Sequence, residues 1–402
     1  MAAVMDWLAS LVRACGRAAL LLAASLAVSG CSAVGYYAQS VQGHLALMRA
    51  ARPIDDWVRD PATPSALRLR LEQAQAQRAF AVRVLALPDN ASYHRYVDLH
   101  RRAAVWNVAA APADSLTLER WCFPVVGCVG YRGYYDEAEA RAFAADLAAR
   151  RGLEVTVYGV PAYSTLGWLN WAGGDPLLST FIAYPEGELA RILFHELAHQ
   201  QVYVSGDTAF NESYATAVER LGVAHWLADA ASDAARRSYA VFDARRRAFR
   251  QLARETRAEL ARIYAEKSAG TAPDWQARKQ DAMARFDARY RQLKAHWQAE
   301  GMAYDGFDRW VSGANNARFG LQAVYDGWVP GFEVLFAREG GDWPRFHAAV
   351  AALARLPRAE RDAQLHALQA AAAGPAAPAH PDGAGAATDV VDSPPARGAQ
   401  AE

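Results

Sequence analysis

Two histidines four residues apart on a helix-patterned segment constrain this chain more than any other feature. In Arg191-Ile-Leu-Phe-His-Glu-Leu-Ala-His-Gln200 the apolar residues have helical spacing. Positions i and i+4 lie one turn apart on the same face, so His195 and His199 can reach one metal ion. Glu196 sits about 100° round the axis, close enough to touch a metal-bound water without ligating the ion. Such a pair can also be a hydrogen-bonded feature of a core, so the third ligand decides. Phe210-Asn-Glu-Ser-Tyr-Ala215 opens another helical segment, in which Glu212 supplies that ligand and Ala215 lets the second helix approach closely. Gly206-Asp207 provides the turn between them. Neutral imidazole suits Zn²⁺, which makes one zinc ion the expected cofactor and Glu196 the expected general base.

A metzincin would continue with Gly at 202 and His at 205, and Val202 and Ser205 exclude that pattern. Asn211-Glu-Ser-Tyr-Ala215 instead resembles the Asn-Glu-x-aromatic-Ala segment of gluzincin aminopeptidases, with a shorter stretch between Gln200 and Asn211 than in the best-known members. More widely, residues 35–356 resemble a family of bacterial lipoproteins described as zinc aminopeptidases. The resemblance runs through Tyr36-Tyr37, Trp121-Cys122 to Tyr134, Val160 to Gly167, the two ligand helices, Asn315-Asn-Ala-Arg318 and Gly341-Asp-Trp343. It implies a zincin-like core and a peptide substrate, with Glu196 passing the water's proton to the leaving amine.

Further roles follow as expectations. Tyr325 is the candidate oxyanion donor, a half-buried core tyrosine being the alternative. Asn315 and Asn316 are candidate substrate-binding residues. The segment from Leu178 to Tyr184 reads as an edge strand able to pair with a substrate peptide. The Gly-x-Met-Glu-Asn segment that binds the substrate's amine in the best-characterised gluzincin aminopeptidases is absent from the sequence. Glu186 and Glu188 are candidates for that task, or else first-turn acids favoured by the helix dipole. Glu219, on the same helix face as Glu212, and Asn211 are expected to support a metal ligand from behind. Aminopeptidase is the leading reading. The alternatives are a zinc endopeptidase and a non-catalytic envelope scaffold that binds a protein partner.

The N-terminus points to export. Arg13 and Arg17 precede the apolar run from Ala18 to Val28, and Val28-Ser-Gly-Cys31 resembles a lipobox. This predicts a signal peptide over 1–30, lipidation of Cys31, and anchoring in the bacterial envelope on the periplasmic face of the outer membrane. In an exported chain Cys122 and Cys128 are expected to form a disulfide. Lys+Arg and Asp+Glu balance at 43 each, which argues against a nucleic-acid partner.

Strands early and helices late predict an α+β, mostly helical fold with a small β-sheet. The sequence divides into 31–234, carrying the metal helices, a helical hairpin over 235–300, a helical part over 301–370, and a disordered Ala/Pro/Gly-rich tail over 371–402. Phe242, Phe249, Leu252, Thr256 and Ile263 form one seam of the hairpin, and Met283, Phe286, Tyr290, Leu293 and Trp297 form the other. The seams make a helix-pair core, or the arm docks a partner.

Overall fold

The computed structural model describes residues 35–123 and 127–373, without the side chains of 323–326 and 372–373. Cys31, the segment 1–30 and residues 374–402 therefore lie outside the described residues. The fold is mostly helical with small sheets, as expected. Helix α1 (35–50) belongs to one unit and everything from Ala51 onward to a second.

In the second unit, β1 (Arg52–Pro53), α2 (Ile54–Arg59), α3 (Ser65–Arg83) and β2 (Arg95–Val97) are followed by β3 (Val105–Ala111). Then come β4 (Trp121–Phe123), β5 (Gly127–Val129), β6 (Arg132–Tyr134), α4 (Glu137–Arg151), β7 (Glu154–Val160) and β8 (Leu177–Leu178). Helices complete the chain: α5 (Glu186–Gln201), α6 (Thr208–Asp229), α7 (Asp233–Ser268), α8 (Trp275–Ala299), α9 (Asp308–Ser312), α10 (Asn316–Asp326), α11 (Val329–Arg338), α12 (Trp343–Ala354) and α13 (Arg358–Ala373). Strand β3 is central in an antiparallel sheet of order β6-β3-β7, and its inner residues from Val108 to Ala111 are fully buried. A second sheet has the order β1-β2-β8, and β4 pairs with β5.

The expected edge strand before α5 is corrected. Only Leu177 and Leu178 are extended, and they pair in parallel with Tyr96 and Val97. Beyond them Ile182 N–H donates to Leu178 O and Tyr184 N–H to Phe181 O, which makes turns. Ser179 Oγ accepts from Leu99 N–H, and Thr180 Oγ1 donates to Pro161 O. Short hydroxyl side chains here bind nearby backbone and displace a ladder.

Helices α7 and α8 are antiparallel. Glu255 pairs with Arg289, Glu259 with Arg285 and Glu266 with Arg278, so each step forward along α7 is matched by an equal step back along α8. Between them lie Phe249, Leu252, Leu260, Ile263, Phe286, Tyr290 and Trp297, all buried. Phe307 and Phe319 join that cluster, which ties the base of the hairpin to α10. Both seams are thus a helix-pair core.

Asn315 and Asn316 both have partners within the fold. Asn315 caps α10, accepting from Arg318 N–H, while its Nδ2 donates to Val155 O on β7. Asn316 is fully buried, accepting from Tyr264 Oη at 2.7 Å and donating to Pro112 O at 2.8 Å. Their amides pin α10 to the sheet and the hairpin.

Candidate metal centre

Helix α5 starts at Pro185, whose fixed φ suits a helix entry, with Glu186 and Glu188 in the first turn. It is buried along most of its length, from Gly187 to Arg191 and on through Leu193, Phe194, Leu197 and Ala198. Close packing with α6 depends on small residues. A Cβ on Gly222 would lie 3.0 Å from the Phe194 ring. Asp207 caps α6 by accepting from Phe210 N–H at 3.2 Å, and Arg361 holds its other oxygen at 2.5 Å. Asn211 grips the connection: its Oδ1 accepts from Val204 N–H and its Nδ2 donates to Val204 O.

This framework brings three donors together. His199 Nε2 lies 3.1 Å from His195 Nε2, Glu212 Oε2 lies 3.2 Å from His195 Nε2, and 3.6 Å separates it from His199 Nε2. These three side chains can hold a metal ion. Donors ~2.0–2.2 Å from a tetrahedral ion are spaced ~3.3–3.6 Å apart; the 3.6 Å edge falls in that range and the 3.1 and 3.2 Å edges lie just short of it. The donor set therefore fits such an ion.

The electrostatics agree. Burial opposes charge on His195, but hydrogen bonds to Glu212 and Glu219 outweigh it and push its pKa up to about 10. Burial would raise Glu212, yet His199 and His195 hold it down at about 2. Two buried carboxylates thus converge on His195 and call for positive charge between them. Glu219 bonds the far nitrogen of that ring: His195 Nδ1 donates to Glu219 Oε2 at 3.0 Å. That contact fixes Nε2 as the atom facing the donor cluster.

Glu196 lies beside the triad, its pKa raised by burial against the pull of His195 and His199. The loop after β7 reaches it: the Ser164 hydroxyl bonds Glu196 and lies 3.3 Å from Asp175 Oδ2. Asp175 in turn accepts from Thr165 N–H at 3.0 Å and from Gln200 Nε2 at 3.2 Å. This loop is clamped to the end of α5 next to His199.

The other expected site residues fall elsewhere. Glu188, an amine-binding candidate or else a first-turn acid, is buried in ion pairs with Arg191 and Arg246. Glu186 accepts from Trp226 Nε1 at 3.0 Å. Tyr325 lies on α10, with its side chain outside the described residues. Three tyrosines that the sequence reading passed over lie within the field of Glu212. Tyr131, Tyr158 and Tyr203 all feel its charge, and Tyr131 also feels Glu196. Burial is the main reason their phenols stay protonated, Tyr203 being pushed up to about 12. A signal existed for Tyr203, one turn beyond His199, and its ring meets the His199 ring edge-on. Tyr158 had none.

Compared with known proteins, residues 35–365 match a family model described as "Putative aminopeptidase". No curated protein and no solved structure matches the chain.

Proposed function

The chain belongs to that aminopeptidase family, and from this premise we propose that it is a zinc-dependent peptidase. The observation that carries the reading is the convergence of His195, His199 and Glu212 beside Glu196. Zinc bound there would supply Lewis acidity, easing ionisation of a water and polarising a peptide carbonyl. Glu196 takes a proton from the attacking water as its oxygen bonds to the carbonyl carbon. It returns that proton to the leaving nitrogen as the C–N bond breaks. Burial raises the pKa of Glu196, which suits a group that must accept a proton and release it again. Tyr131, a protonated phenol near both Glu196 and Glu212, donates to the developing oxyanion.

An aminopeptidase also needs an acid for the substrate's amine. Glu188 is sealed by two arginines and Glu186 is held by Trp226. That favours endopeptidase cleavage as the second reading. The lipobox-like Val28-Ser-Gly-Cys31 supports anchoring of the enzyme in the bacterial envelope through lipidated Cys31, on the periplasmic face of the outer membrane.

The test uses protein beginning at Ser32, its metal content, and cleavage of aminoacyl and internally quenched peptides with and without chelator. Stoichiometric zinc and chelator-sensitive cleavage are expected. Glu196→Gln should keep its zinc and lose at least ~100-fold in kcat. Wild-type protein that takes up no zinc would end this reading, and cleavage restricted to internal bonds would select the endopeptidase.

A further inference from the structure

Five buried charges form an unbroken file from the helical hairpin to the metal centre. On α7, Asp243 Oδ1 accepts from Arg246 Nη2 at 2.5 Å. Arg246 Nη1 donates to both oxygens of Glu188 at 2.8 Å, crossing from α7 to α5. Arg191 Nη1 holds Glu188 Oε2 from the other side at 2.9 Å, while its Nε holds Glu219 Oε1 on α6 at 2.9 Å. The second oxygen of Glu219 accepts from His195 Nδ1 at 3.0 Å. None of these charged side chains is more than 15% exposed.

The signs alternate, beginning and ending on a carboxylate. A buried pair kept only for packing would close on itself, and an apolar substitute would commonly serve stability as well. This file instead ends with one negative charge in excess, applied to a ring whose other nitrogen faces the donor cluster. The guanidinium of Arg191 is shared between Glu188 and Glu219. Remove Arg246, and Glu188 is left with Arg191 alone, drawing it away from Glu219. The approach of α7 to α5 is close at this point, since a Cβ on Gly187 would lie 2.4 Å from the Tyr239 ring. Arg246 Nη2 also donates to Tyr239 Oη.

We propose that Arg246 is a positioning residue for the metal site, acting through Glu188, Arg191 and Glu219 to fix the His195 ring. Docking of the hairpin helix and metal binding are then linked: what loosens α7 at Arg246 weakens the metal, and the metal tightens α7 by the same factor. The metal half of this statement rests on the reading of His195, His199 and Glu212 as ligands.

Zn²⁺ affinity by competition with a chromophoric chelator tests it. Glu219→Gln should weaken Zn²⁺ ~10–100-fold, and Arg246→Met by about tenfold. Arg246→Lys should recover most of the loss, because it restores the charge facing Glu188. Leu260→Ala, in the fully buried core of the hairpin, should lower the urea midpoint and leave Zn²⁺ affinity unchanged. If Arg246→Met does not fold, Arg246→Gln takes its place. Wild-type affinity in the Arg246 variant, or an equal loss in Leu260→Ala, overturns the proposal. A second arm needs no metal. In chelator-treated protein, the urea-midpoint shifts of Arg246→Met and Glu219→Gln should combine to less than their separate effects, and additive shifts overturn the file. Should wild-type protein bind no Zn²⁺, the metal reading falls alone and this second arm decides whether the file couples.

Discussion

Both amide atoms of Asn211 are bonded to the backbone of Val204, one accepting at 2.7 Å and the other donating at 2.8 Å. This side chain closes the connection from α5 to α6 immediately before Glu212, one of the three donors that can hold a metal ion. Asn211→Ala leaves a backbone N–H and a carbonyl without these partners, and should cost about 2–3 kcal/mol. Asn211→Asp turns the donor into a second acceptor facing Val204 O and buries a carboxylate beside Glu212, so its cost should be larger still. Urea unfolding of chelator-treated protein separates this effect from metal binding, and Zn²⁺ titration should show weaker binding in the same order.

Tyr131 lies in the fields of Glu212 and Glu196, and burial with those charges keeps its phenol protonated. Tyr131→Phe should reduce kcat by about 10²–10³-fold, the scale of one lost oxyanion donor. KM and zinc content should hold. Tyr203→Phe is the comparison, because Tyr203 senses Glu212 but not Glu196. Steady-state kinetics on both variants decides the assignment, and a larger loss in Tyr203→Phe would transfer the role.

The part of the site that repeats at helical spacing could be read from the sequence. His195, Glu196 and His199 share one helix, and Glu212 and Glu219 share the next. The three candidate donors and the acid behind them lie at helical spacing within two helices, and so could be found from the sequence. Glu188 was ambiguous because its partner Arg246 is 58 residues away on another helix. Nothing local distinguishes a first-turn acid facing solvent from one meeting an arginine of a packed neighbour. The partners of Asn316 were hidden for the same reason, since Tyr264 and Pro112 reach it only after the hairpin docks on the sheet. Tyr158 depends on register: β7 pairs with β3 so that Tyr158 faces Asn107, and a slip by one residue would turn it to the other face. The edge strand failed differently, through hydroxyl side chains at 179 and 180 that bind backbone outside any ladder.

The expected disulfide joins Cys122 and Cys128, directly opposed on β4 and β5. Its hairpin rests on the turn between the ligand helices. Arg120 Nη2 donates to Cys128 O and to Gly206 O, and a Cβ on Gly127 would lie 2.6 Å from Gly206 N. Gly127 also has φ of +76°, where a side chain is strained. Cys122→Ser with Cys128→Ser should cost about 2 kcal/mol for so short a loop. Gly127→Ala should cost about 1–3 kcal/mol through strain and displaced backbone. Its distinguishing effect is weaker Zn²⁺ binding with the disulfide intact, because the turn it pushes on leads into α6. Thiol counting, urea unfolding and zinc titration read the three quantities.

His347 on α12 links three elements: its Nδ1 accepts from Tyr214 Oη at 2.8 Å, and its Nε2 donates to Leu85 O at 2.8 Å. The bond from Tyr214 needs the neutral ring, because Nδ1 must keep its lone pair, whereas the bond to Leu85 O survives protonation. Burial lowers its pKa below 6.5, only partly countered by the bond to Leu85. In the unfolded chain the ring regains its ordinary value, so below pH 6.5 the unfolded state takes up a proton that the native state resists. The contribution of His347 to stability is therefore complete above that pH and is lost as pH falls towards the folded value. The slope can reach ~1.4 kcal/mol per pH unit for one proton. His347→Gln removes the titration, and its unfolding free energy should fall less than that of wild type between pH 7.5 and 5.5. Parallel urea curves at the two pH values, run with chelator so that the His195 site contributes equally to both proteins, measure the difference. Equal losses would mean that the folded ring titrates as it does in the unfolded chain, so that burial does not oppose its charge.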